Sequence, residues 1–217
     1  SARAGDGGLA PGKVNFPQDL EAFCGKPLAQ ILEEITGGRE PDGFNIGGPA
    51  IVALALAAQL LPRQKFRVEF HGCRGRDETG EKFFNLASQT PLELEHFIEA
   101  SGGSPRAYVL SDPEHDGGQG ERLFISQLGS YWEYGPEHLG ADFFSAGIVL
   151  FGSTALTPRL HANLSHLLRR ARAQGAVCVV STVFDLLSER ERPGQRWRLG
   201  DEDSNYCLTD LLVMDRE

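Results

Sequence analysis

The chain has 217 residues, 41% of them hydrophobic, and a formal net charge of −9. Its length suits one large α/β domain with a full core, and its acidic balance argues against a general binder of nucleic-acid backbones. The longest apolar run, Ala50 to Leu61, is too short to span a bilayer, and no signal-peptide pattern opens the chain. The expectation is therefore a cytoplasmic protein. Cys24, Cys73, Cys178 and Cys207 show no metal-ligand spacing and read as free thiols.

Residues 1–17 are rich in Gly and Pro and read as irregular. The only methionine is Met214, so residues are expected to be missing at the front. Pro27 to Thr36 predicts a helix with Leu28, Ile31, Leu32 and Ile35 on one face and Gly37 as its stop. Gly47-Gly48 opens a helix over Pro49 to Leu61 that is almost wholly apolar and should be buried on most sides. Phe66 to His71 alternates like a strand. Thr90, Pro91 and Glu93 have the pattern of a helix start, which predicts a helix to about Ala100.

Arg106–Ser111 and Arg122–Leu128 read as an antiparallel ribbon around the polar segment Asp112 to Gly118. Ala146 to Phe151 is an apolar strand. Thr157-Pro158 starts a helix to about Ala173, with Leu160, Leu164, Leu167 and Leu168 inward and Gly175 at its end. Ala176 to Val180 and Asp210 to Met214 are further strands, so the last third is a βαβ unit with a parallel sheet.

Two near-matches to a phosphate-binding P-loop fail. Gly7 to Lys13 is followed by Val14 where Ser or Thr should stand, and Glu81 separates Gly80 from Lys82. Asp112, His115 and Asp116 read as a solvated turn rather than a metal site. No residue set reads as a metal site, and there is no nucleophile elbow or cysteine nucleophile constellation.

The most informative features are two glycine stations about 25 residues apart. The first is Asn45-Ile46-Gly47-Gly48; the second is Gly72-Cys73-Arg74-Gly75-Arg76-Asp77-Glu78-Thr79-Gly80. Both place glycine where a loop meets a regular element, so the backbone can approach a small ligand. In order and spacing they resemble the PfkB, or ribokinase-like, carbohydrate kinases. Gly120-Glu121-Arg122 and the strand Asp210 to Asp215 add to that resemblance.

The resemblance implies a three-layer α/β sandwich with a mainly parallel central sheet and a small β lid at about residues 104–135. The chain would be a single domain, truncated at both ends. It also implies ATP-dependent phosphorylation of a sugar or sugar-like hydroxyl compound, with ATP and Mg2+ as cofactors. Asn45, Gly47, Gly48 and Gly72 would bind substrate, Gly75, Asp77 and Gly80 would be a structural glycine motif, and Asp215 would lie near phosphate and magnesium. A sugar or nucleoside is the implied partner, with a homodimer through the lid. Residues 1–217 lack the family's G-A-G-D motif, so no catalytic group is expected in this chain. Ile51 or Val52 stands where the family has a sugar-contacting asparagine, and Thr182-Val183-Phe184 replaces its D-x-N element. Those departures, with Asp215 where the family has the asparagine of N-x-x-E, keep open a non-catalytic sugar-binding, sensing or structural relative; an unrelated α/β binding domain whose glycines are only turns is the other alternative.

Overall fold

The computed structural model describes residues 14–214. In chain order its elements begin with β1 (Val14–Asn15), α1 (Pro17–Cys24), α2 (Leu28–Thr36), α3 (Pro49–Leu60), β2 (Gly72–Gly75) and α4 (Glu78–Ala87). Then come β3 (Phe97–Ala100), β4 (Arg106–Asp112), α5 (His115–Gly118), β5 (Glu121–Gln127), α6 (Ala141–Ser145) and β6 (Ile148–Gly152). The last elements are α7 (Pro158–His161), α8 (Leu164–Ala173), β7 (Val177–Ser181), α9 (Leu186–Glu191), α10 (Asn205–Leu208) and β8 (Leu211–Val213). The chain forms two units: residues up to Asn45 with Pro105–Gln127, and Ile46–Ser104 with the remainder from Leu128.

In the smaller unit β4 and β5 pair antiparallel, Arg106 opposite Gln127, as the ribbon pattern predicts. Leu20 of α1, Ile31 of α2 and Ile125 of β5 form its core, with Tyr108 and Leu110 packed against them. The irregular backbone expected through residue 17 is corrected from Val14 onward. β1 pairs parallel with β5, about 110 residues away in sequence, and Pro17 occupies the first position of α1, where its missing N–H is not needed. Residues 1–13 lie outside the described residues.

In the larger unit β6, β7 and β8 form a parallel sheet, Val149 opposite Cys178 and Val180 opposite Leu212. Helix α8 links β6 to β7. Its Leu164, Leu167, Leu168 and Ala171 have no exposed surface and pack in one cluster with Val149, Phe151, Cys178 and Val180. β2 and β3 form a second parallel pair. Around it, Ile51, Phe70, Phe83, Leu92 and Phe97 make a second cluster.

Four expectations are corrected. Residues 90–100 are not a helix: Phe97–Ala100 is strand β3, Leu94 leads into a turn, and Leu92, Leu94 and Phe97 pack in the core without one. Thr90 accepts from the Leu92 N–H at 3.4 Å but donates its own hydroxyl back to the Ala87 carbonyl. The strand expected at Phe66–His71 lies instead at Gly72–Gly75, although Val68 and Phe70 still exchange hydrogen bonds with Glu93. Helix α3 buries only Ile51 and Ala58, and Leu56 and Leu60 are exposed. The helix expected from Thr157 to Ala173 is two helices, broken where the Asn163 N–H returns to the Leu160 carbonyl in a tighter turn. Helix α4 was not anticipated at all; Asp77 caps it.

Helix α8 has no cap from its own Asn163. Asp201 caps it from a distant loop, accepting from Ser165 N at 2.9 Å and Ser165 Oγ at 2.5 Å. Burial raises the Asp201 carboxyl, but the hydrogen bonds from Ser165 and Asn205 outweigh it and hold the group below its ordinary value. A lowered carboxyl stabilises the fold above its ordinary value and loses that contribution as pH falls through the lowered one. Asp201→Ala is therefore expected to reduce stability at neutral pH by about 1 kcal/mol, read by urea unfolding. The difference from the parent should shrink below about pH 4.

Candidate functional site

The second glycine station is a backbone lock. Gly75 closes β2 so tightly against residues 102–104 that a Cβ there would stand 2.4 Å from Ser104 N. A Cβ on Gly80 would stand 2.2 Å from the Gly75 carbonyl oxygen. Asp77 Oδ1 accepts from Gly80 N at 2.8 Å and from Ser104 Oγ at 2.5 Å, and its Oδ2 accepts from Ser104 N at 2.8 Å. Gly75 N donates to Ser104 Oγ at 3.0 Å. One aspartate thus starts α4 and ties it to the end of β3, so these residues shape the site without needing to touch a ligand.

The first station opens α3. Gly48 has φ 101°, a conformation that disfavours any side chain, and it precedes Pro49 at the first helical position. The helix start lies against the end of β6, where a Cβ on Gly152 would meet Ala50 Cβ at 2.5 Å. A cavity of about 760 Å³ in the larger unit is lined by Gly48, by Gly72 and by the aromatic rings of Phe66, Phe70, Phe143 and Phe151. Cys73 also lines it, but burial pushes its thiol up to about 11, which removes it as a nucleophile at neutral pH.

Polar groups gather where β6 ends. Ser153 is the only described residue other than glycine with positive φ, at 57°, and its buried Oγ has no partner. Strain of this kind is held only where the surroundings enforce it, often at a ligand site. Next to it, Thr154 Oγ1 is 3.0 Å from His161 Nδ1, and His161 Nε2 is 3.6 Å from Asp185 Oδ2. Thr154 and Asp185 are buried. Burial holds His161 below its ordinary value, against the opposing charges of Asp185 and Asp201. The cavity is mostly apolar, with Ser153 and Thr154 of this group on its lining and His161 and Asp185 behind Thr154; an apolar wall with a few polar atoms is the usual make-up of a small-molecule site.

Of the residues predicted to bind substrate, Gly48 and Gly72 line this cavity. Gly47 is exposed, and Asn45 is exposed and belongs to the smaller unit. Asp215 lies outside the described residues. Sequence reasoning missed Ser153, Thr154, His161 and Asp185, which only the return of the chain after β6 brings together. The one available signal was Gly-Ser-Thr directly after an apolar strand.

No family model and no curated protein matches the sequence. Solved structures do. Adenosine kinase from Anopheles gambiae, solved with P1,P4-di(adenosine-5) tetraphosphate, aligns with a TM-score of 0.66 and 16% identity over 95% of this chain and 56% of its own. The fold is ribokinase-like. Adenosine kinase from Schistosoma mansoni with adenosine gives 0.66 and 12% over 96% of this chain and 55% of its own. Fructokinase from Xylella fastidiosa gives 0.51 and 19% over 80% and 54%. The chain spans about half the length of the structures it matches. At these identities the likeness establishes the fold alone: a three-layer α/β sandwich with a mainly parallel sheet.

Two outcomes are expected. Gly80→Ala should lower stability by about 2–3 kcal/mol in urea unfolding, because the added methyl meets backbone that cannot yield. For His161 the unfolded chain binds more protons below the ordinary histidine value, so stability should fall as pH drops through about 6.5. Melting curves of His161→Gln should show a shallower loss over that range.

Proposed function

We propose that this chain is the substrate-binding part of an ATP-dependent kinase that phosphorylates a hydroxyl of a sugar or nucleoside. The observation that carries this reading is the cavity beneath Gly48 and Gly72 in a ribokinase-like fold. Its aromatic and aliphatic walls suit a ligand with an apolar ring better than a bare sugar, so a nucleoside is the favoured class. Gly48 leaves room for close backbone approach, and the partnerless Ser153 hydroxyl can bond to a ligand hydroxyl. The β excursion at about residues 104–135 keeps the lid role that the resemblance gives it, with a homodimer through its strands as part of the same proposal.

ATP and Mg2+ belong to the complete reaction. The carboxylates lining the cavity are Glu69 and Asp142, and Glu69 is already tied to Arg67. Mg2+ is usually held by one or two carboxylates together with substrate phosphates and water. No phosphoryl-transfer step is assigned to the described residues. Ile51 or Val52 at the family's asparagine position favours the second reading, a binding or sensing relative without turnover.

The test is the melting temperature of the chain with adenosine, ribose or fructose added. A nucleoside at 100 times its Kd should stabilise the fold by about 2.7 kcal/mol. Ser153→Ala should weaken that binding severalfold while leaving the unliganded melting temperature nearly unchanged. If none of the three compounds shifts melting, the cavity assignment is wrong. If adenosine binds but the protein expressed from its native gene consumes no ATP, the binding reading replaces the kinase.

A further inference from the structure

We propose that Glu69, His71 and His96 form a site for a divalent transition metal of the zinc class. This inference does not depend on the kinase reading. The pairing of β2 with β3 sets Gly72 opposite Phe97, and His71 and His96 are the residues just before each. Their rings stack with centroids 4.2 Å apart and planes 11° from parallel. Glu69 lies just upstream, in an isolated parallel bridge to Glu93 whose register is one residue out of step with the β2–β3 pairing.

The geometry separates a metal site from a hydrogen-bonded cluster. His71 Nε2 lies 3.4 Å and His96 Nε2 3.7 Å from the same carboxylate oxygen, Glu69 Oε2. Both are long for a hydrogen bond. Two ligand atoms on one tetrahedral Zn2+, with bonds of about 2.0–2.1 Å, stand about 3.4 Å apart. One ligand atom from each residue lies within 4.8 Å of the other two. The other carboxylate oxygen, Oε1, is the one that holds Arg67, which leaves Oε2 facing the histidines.

Burial and charge agree with this assignment. The His71 side chain is 5% exposed, with Nε2 facing Glu69; its other ring nitrogen, Nδ1, is buried without a partner. Glu93 reaches Arg67 at 3.2 Å, and Asp142 acts on both Arg67 and His71. Three carboxylates thus surround the site against one guanidinium, which favours a cation. Two imidazoles and a carboxylate are the donor set of zinc sites that keep a fourth position open. Glu69 and His71 line the cavity, so that position can be reached from it.

The experiment is titration of the untagged chain with Zn2+ by isothermal calorimetry, in a Cys24→Ser, Cys207→Ser background. The two cysteines are exposed free thiols and would otherwise bind the metal themselves. One Zn2+ per chain is expected. His96→Gln should weaken binding at least about 10-fold, with Glu69→Gln acting in the same direction. His96 is partly exposed, so its variant keeps the test valid if the buried His71→Gln fails to fold; circular dichroism checks folding of each. His115→Ala, in the smaller unit, should change nothing. Failure of Zn2+ to saturate one site, or equal affinity in the folded His96→Gln chain, overturns the proposal. Adenosine binding lies outside this readout, so failure here and failure of the kinase reading are distinguishable.

Discussion

The parallel pairing of Gly72–Gly75 with Phe97–Ala100 governs most of what surrounds the candidate site. It brings the end of β2 against residues 102–104 so closely that only glycine is accommodated at position 75. Asp77 then binds the start of α4 to Ser104 with both carboxylate oxygens. The same register sets His71 beside His96 and turns Phe70 and Phe97 toward one cluster. A shift by one residue would reverse the face of every side chain on the strand, so lock, histidine pair and cavity wall stand or fall together.

The second determinant is the sheet of β6, β7 and β8. Helix α8 covers one of its faces with four residues that have no exposed surface. Along β6 and β7 burial alternates, and Ile148, Val177 and Leu211 are exposed. Where β6 ends, the strained Ser153 begins a tight turn that sets Thr154 against His161, with Asp185 beyond it. Sites at the carboxyl ends of parallel strands are general in open α/β sheets. Ser153 and Thr154, on the lining of the cavity, follow that rule.

Much of the fold was legible in the sequence because short-range patterns and long-range packing agreed. The leucines of α8, the ribbon of β4 and β5 and the left-handed Gly37 after α2 are such cases. At Thr90–Ala100 they disagreed. The helix-start pattern there is local, but Phe97–Ala100 has an open strand to pair with, and a tertiary partner outweighs a cap. Helix α3 misled differently: apolar composition tells how much surface a helix could bury, not how much it meets. Leu60 is 82% exposed although the residues around it are nearly all apolar.

By itself, the sequence determined the α/β class, the two glycine stations and the order of most elements, since backbone freedom and hydrophobic period are properties of neighbouring residues. Only the tertiary structure decided which of those residues share a cavity. It placed Gly48 and Gly72 on the lining of one cavity and Asn45 in the other unit. It alone joined His71 to His96 and Thr154 to Asp185, pairs too far apart in the chain for any local spacing to reveal. Their proximity comes from strand register and from the course of the chain after β6, both fixed by burial across the whole unit rather than by the residues themselves.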